Sequence, residues 1–213
     1  MMKRNRLSFV CLCLGVAMVI SAFGLVGYNF YESKKAGVIS QKVLQHIIDE
    51  MPEVPEKSNI NIEFDYDEKV KEQMSAGNQS VQMPTTIVYT IEYIGYIEIP
   101  KLGLSLPVIN TSNQTNLNIA PCRFFGSAYL DNMVIGAHNF ASHFGYIDSL
   151  GFGDTVNFTD VNGNVFNYEV ADIEILQPHQ SEYLCNSEWD LSLYTCTISG
   201  RERVTVRCER VEA

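Results

Sequence analysis

From Leu7 to Tyr31 the chain carries no charged residue, and Lys3, Arg4 and Arg6 stand just before that run. About twenty apolar residues cross the hydrocarbon core of a bilayer as a helix, so this stretch spans it with some tilt. Basic residues on the N-terminal flank place that end in the cytoplasm and the remainder outside. The bias is modest, because Lys34 and Lys35 lie just beyond. A cleaved signal peptide is the rival reading, with Ala22 and Gly24 as a weak small-x-small site. The run is longer than a usual signal core, which favours an uncleaved anchor. Both readings send the body out of the cytoplasm, and the uncleaved anchor gives a single-pass cell-membrane protein with residues 1–6 as a cytoplasmic tail and 7–31 as the anchor.

The 213 residues leave room for one sizeable core plus extensions. A formal charge of −10 excludes a nucleic-acid surface, which needs a basic stripe. Val38, Ile39, Val43, Leu44, Ile47, Ile48 and Met51 recur at helical spacing, predicting an amphipathic helix that ends at Pro52 and either packs on the body, the favoured reading, or lies against the membrane. From Pro52 to about Pro84 acidic and polar residues dominate, the composition of a linker. Residues 32–85 are therefore helix plus acidic linker, and 86–213 form the body.

That body reads as all-β. Ile87 to Ile99 is one strand, Pro100 to Gly103 a turn, and Leu104 to Ile109 the next strand. Met133 to Gly136 is a short apolar strand. Thr155–Phe158 and Val165–Leu176 flank the turn Asn162-Gly163, and two further strands close the chain. Many short strands at close spacing imply a barrel or a sandwich. In the last hairpin, a two-residue turn at Ser199-Gly200 sets Cys196 opposite Arg203, with Cβ atoms about 4.5–5.5 Å apart. Leu191, Leu193, Thr195, Val204, Val206 and Cys208 then share an apolar face. Tyr194, Cys196, Arg201, Arg203, Thr205 and Arg207 share a polar one.

A cysteine, a histidine and an arginine are the parts needed to open an amide covalently. The thiolate attacks, an imidazole moves protons, and a guanidinium steadies charge on oxygen. A cation beside a thiol favours its thiolate form. Gly136-Ala137-His138-Asn139, Leu193-Tyr194-Thr195-Cys196 and Arg203-Val204-Thr205-Val206 supply the three in that order. His143 and His179 are lesser candidates, and Arg201 and Arg207 are read as solvated or lining a groove. Four cysteines lie outside the apolar run: Cys122, Cys185, Cys196 and Cys208. A reduced Cys196 allows at most one disulfide among the other three.

These local sequences, with Tyr93 to Pro100, Leu106-Pro107-Val108, Asn132 to Asn139 and Leu150 through Gly153-Asp154, resemble a sortase over about residues 92–213. Sortases are membrane-anchored cysteine transpeptidases of bacterial surfaces. The resemblance implies an eight-stranded β-barrel with short helices and no cofactor. It implies Cys196 as nucleophile, His138 as acid and base, and Arg203 as the hydrogen-bond donor near the oxyanion. Thr195, Tyr194 and Trp189 would contact substrate. Partners would be surface proteins bearing a sorting signal of Leu-Pro-x-Thr-Gly type, and an amine from a peptidoglycan precursor or a pilin. Asp148, Asp154 and Asp160 are read as solvated carboxylates, with no metal expected. His138-Asn139 and the N-terminal helix resemble class B, and a wall-anchoring role is favoured over pilus building. An L,D-transpeptidase would place glycine before the thiol, where Thr195 stands. The remaining alternative is a catalytically silent membrane-tethered binding module on the same fold.

Overall fold

Alternation of large apolar and polar residues from Thr86 onward builds a single sheet curled into a barrel. The computed structural model describes residues 2–51, 83–185, 188–197 and 199–212. Its strands are β1 Thr86–Val88, β2 Ile91–Ile99, β3 Leu104–Ile109, β4 Cys122–Phe125, β5 Met133–Ala137, β6 Thr155–Asp160, β7 Val165–Leu176, β8 Leu191–Cys196 and β9 Arg203–Val211. The helices are α1 Met2–Glu50, α2 Gln114–Leu117 and α3 Ser181–Cys185. The strand order is β1-β2-β3-β4-β5-β8-β9-β7-β6, and a further pairing of β2 with β6 closes eight of the strands into a ring. Among the described strands, only β3–β4 and β5–β8 pair in parallel. This is the eight-stranded barrel that the sequence resemblance implies.

β2 serves β1 and β6 on one edge, through Ile91–Tyr93 and then Gly95–Glu98. Gly95 sits at the changeover with φ +145, and a Cβ there would lie 1.9 Å from the Thr159 carbonyl oxygen. Only glycine lets the two backbones approach closely enough to close the seam. Inward residues fill the barrel: Ile97, Ile99, Leu106, Val108, Ile135, Phe158, Tyr168, Leu193 and Val206 are all buried. Each fully buried aliphatic or aromatic side chain contributes about 1.5–3 kcal/mol.

Several expectations change. The strand expected over Ile87–Ile99 is two, broken at Tyr89 and Thr90, whose φ values of 48 and 72 make a primed hairpin turn. Neither residue type signals such a turn. The Asn162-Gly163 hairpin is present, but Asp160 and Asn164 close it with a backbone bond, so three residues rather than two connect the strands. β4 has no clear alternation and was not legible as a strand.

The chain divides into two units, Met1–Lys35 and Ala36–Ala213. The first is helical and apolar. Among the described residues, α1 contains the one segment long and apolar enough to cross a membrane, with a mean hydropathy of 2.6 over its best window. In the second unit, Ala36–Glu50 is the C-terminal part of α1 rather than a separate helix. It packs on the barrel wall, with Val43 and Ile47 against Val88, Tyr93, Ile109 and Cys122. Val38 and Ile48, expected on the packed face, point to solvent instead. The expected linker falls almost wholly on residues 52–82, outside the described residues. Just after it, Met83 is buried in the barrel core.

Candidate active site

Three adjacent strands end at one rim of the barrel. β5 and β8 run in parallel with Ala137 beside Thr195. β8 and β9 run antiparallel with Cys196 opposite Arg203. His138 follows Ala137 as Cys196 follows Thr195, so histidine, cysteine and arginine arrive on neighbouring strands spaced about 4.8 Å apart. By alternation His138 and Cys196 share the face of Gly136 and Tyr194. The expected pairing of Cys196 with Arg203 is the observed one, although the turn is wider than two residues. The Thr197 N–H donates to the Glu202 carbonyl, and Gly200, at φ +68, donates to the Thr197 carbonyl. Equal extension on both sides leaves the register unchanged.

Away from the rim the face is not solvated. Ser192, Thr205 and Arg207 are buried, so the expectation of a solvent-facing Arg207 is corrected. Its guanidinium pairs with Glu174 at 2.7 Å and donates to Ser192 Oγ and the Leu184 carbonyl. The Tyr183 ring lies 5.4 Å from it. α3 therefore covers the lower part of this face, with Leu184 packed on Val134, Phe125 and Tyr194. Cys196 alone on β8 emerges into solvent, with Arg203 half-buried beside it. Arg201 is exposed in the turn.

Tyr194 packs over Gly136, where a Cβ would meet its ring at 2.4 Å. The Arg203 guanidinium lies 6.0 Å from the same ring. Burial pushes the Tyr194 phenol up to about 12 against the opposing pull of Arg203. The Thr195 hydroxyl donates to the Ala137 carbonyl at 2.9 Å, tying together the strands that carry Cys196 and His138. Thr195, Cys196, Val204, Asn139, Tyr146 and Asp148 line a cavity of about 300 Å³ in front of the thiol. Trp189 precedes β8 at the strand's other end and does not line this cavity. The two remaining carboxylates hold structure: Asp154 pairs with Lys101, and Asp160 binds the Asn162 and Asn164 backbone N–H groups.

His138 is half-buried, and burial lowers its pKa below the usual histidine value. Its Nε2 lies 2.9 Å from Asn118 Oδ1, a partner that sequence reasoning missed. Asn118 sits in an aperiodic stretch between β3 and β4, where nothing marks it. The Phe140 ring stands between His138 and His143, at 5.0 Å and 5.6 Å from them. His143 is fully buried, with its pKa lowered to about 4 by burial and then by repulsion from His138. His179 lies exposed in the turn after β7.

Neutral burial of His143 makes stability depend on acid. The unfolded chain binds this proton below about 6.5 and the folded one only near 4, so the unfolded state holds more protons between those values. The contribution is complete above pH 6.5 and drains as pH falls through 4, a difference of about 3 kcal/mol. Chemical denaturation across that window should show the loss, and His143→Gln should flatten it.

The described cysteines form no disulfide. Burial pushes the thiols of Cys122 and Cys208 up to about 12, and raises that of Cys185. A thiol reagent added to the folded protein should therefore modify Cys196 before the other three body cysteines, read by peptide mass. Earlier reaction at Cys122 or Cys208 would contradict the burial described.

The Sortase domain family model matches residues 97–211. Solved structures of similar fold include sortase C1 of GBS pilus island 1, at 22% identity and TM-score 0.60, over 82% of this chain and 93% of that one. Sortase C from Clostridium perfringens SM101 is similar at 23% identity and TM-score 0.56, over 81% and 99%. A Clostridium perfringens sortase D5 transpeptidase matches at 20% and 0.56, over 82% and 99%. At these identities the likeness is one of fold. No curated protein matches the sequence.

Proposed function

This chain belongs to the sortase family, and on that premise we propose that Cys196 is the nucleophile of a transpeptidase acting on sorting signals of Leu-Pro-x-Thr-Gly type. The Cys196 sulfur attacks the threonine carbonyl of the Thr–Gly bond. His138 protonates the departing glycine amine, and a thioester joins the threonine to Cys196. An incoming amine, from a peptidoglycan precursor or a pilin, attacks the thioester while His138 takes its proton, and the thiolate leaves. Arg203 donates hydrogen bonds to the substrate oxygen that gains charge. Thr195 holds the Cys196 and His138 strands in register, and Tyr194 supports Arg203.

The observation that carries this reading is the exposure of Cys196 between His138 and Arg203 on a face otherwise covered. The apolar part of α1 serves as a single-pass anchor, with the N-terminus cytoplasmic and the barrel outside the cell. The sequence features favouring class B and wall anchoring remain part of this proposal, while the similar structures named above are sortases C and D.

Full-length protein in detergent micelles, given quenched sorting-signal peptides, should cleave them and should cleave faster when an amine is added. Cleavage unaffected by any amine would leave a peptidase and remove the transfer step.

A further inference from the structure

The geometry points to Asn118 as a positioning residue for His138, kept in place by Ser40 of α1. This rests on the catalytic role proposed for His138. Asn118 caps the C-terminus of α2, and its Oδ1 lies 2.9 Å from His138 Nε2. The Gln114 amide reaches the same nitrogen only at 3.5 Å. The Asn118 side chain is exposed, so its backbone must do the aiming. That backbone is fixed on both sides. Asn113 caps the start of α2 through the Asn116 N–H, and the Asn116 side chain donates to the Thr111 carbonyl. On the other side, the Ile119 carbonyl accepts the Ser40 hydroxyl at 2.7 Å.

Ser40 is completely buried, and it reaches a second arm of the site as well. Its oxygen lies 3.4 Å from His143 Nε2. The loop carrying His143 folds back on His138: the Phe144 N–H donates to the His138 carbonyl, and the His143 N–H to the Phe140 carbonyl. One turn earlier on α1, a Cβ at Gly37 would lie 2.9 Å from Ser142 Cβ, so the helix touches this loop directly. Residues Ala36–Glu50 therefore brace both the segment just after α2 and the loop after His138. This part of α1 belongs to the site's framework as well as to the tether.

The chemical consequence concerns which nitrogen moves the proton. An acceptor at Nε2 keeps a hydrogen there, so the neutral ring presents the lone pair of Nδ1 for proton transfer. When Nδ1 gains its proton, Asn118 still accepts from Nε2–H and steadies the cation. Among the described residues, the charged and titratable groups facing His138 are His143 beyond Phe140, Cys196 on the neighbouring strand and Arg203 on the strand after it.

The test uses full-length protein in detergent micelles with 15N-labelled histidine, the His138 signals being assigned through His138→Gln. Wild type should show the Nε2–H tautomer in the neutral form. Asn118→Ala should mix the tautomers and lower kcat by about 10- to 100-fold, part of the 10²–10⁴ that acid–base catalysis supplies, while KM moves less than about threefold. Asn118→Asp puts a carboxylate at Nε2 and should raise the His138 titration midpoint by about one pH unit or more. Ser40→Ala should act in the direction of Asn118→Ala by about 3- to 10-fold, as expected for loss of support at one remove. A wild-type Nδ1–H tautomer, or an Asn118→Ala protein with unchanged tautomer and kcat, overturns the inference. Should Asn118→Ala unfold, the wild-type tautomer and the Asn118→Asp midpoint decide. Wild type that turns over no peptide would count against the catalytic reading alone, because the tautomer is read without turnover.

Discussion

Cys196→Ala abolishes peptide cleavage and amine transfer together, a loss of at least about 10³-fold, and leaves the barrel's stability within about 0.5 kcal/mol of wild type. The two halves of that expectation come from different facts. Cys196 is exposed at the end of β8, so removing its sulfur empties no cavity. No other body thiol can replace it, because Cys122 is buried beneath α1 and Cys208 in the barrel core, with thiols pushed up to about 12. Cys185 sits half-buried on α3 with its own thiol raised. The measurement is steady-state turnover beside thermal unfolding of the same preparation. Residual turnover above a tenth of wild type would place the nucleophile elsewhere. Arg203→Ala should cost about 10²–10³-fold, the range for losing one oxyanion donor, and Arg203→Lys should restore little because a lysine lacks the planar fork.

Glu174→Gln carries the largest stability cost, about 3–5 kcal/mol, on the order of 10 °C in Tm. The Arg207 side chain has 0% exposure and Glu174 has 24%, so removing the carboxylate's charge takes away the 2.7 Å ion pair of a guanidinium that water cannot reach. Its bonds to Ser192 Oγ and the Leu184 carbonyl are to neutral groups and do not replace the charge of Glu174. The double variant Glu174→Met/Arg207→Met should lie much closer to wild type than either single change, since it removes the buried charges together. Urea unfolding of the four proteins gives the cycle. Equal, additive losses would show that packing rather than charge compensation holds α3 on the sheet. Because Arg207 grips the Leu184 carbonyl, Glu174→Gln should also loosen the α3 flank of the rim and raise KM before it alters kcat.

How far the sequence reveals this molecule depends on the range of the forces involved. The last hairpin was legible because side-chain alternation is a local, two-residue signal. One register satisfied both Leu193–Val206 and Cys196–Arg203, and it survived a mistaken turn length. Gly136-Ala137-His138 was legible for a related reason, as an apolar strand feeding a polar residue at its end. The break at Tyr89-Thr90 was not, because closure of β2 onto β6 sets it rather than any preference of those residues. Arg207 was misread for a tertiary reason: alternation gives its face, and only the packing of α3 tells that the face is covered. Asn118 and Ser40 gave no signal at all. Their roles come from a contact 79 residues apart between Ser40 and Ile119, and no periodicity reports such a distance.

The central claim is that a substrate acyl group becomes bonded to Cys196, and intact mass of the full-length protein during turnover tests it most directly. With a sorting-signal peptide and no added amine, the account predicts an adduct equal to the peptide fragment ending at threonine. The adduct should map to Cys196, be absent from Cys196→Ala, and disappear on adding an amine as the transfer product forms. Cleavage of the peptide with no adduct at any time, or an adduct carried by another residue, would contradict it.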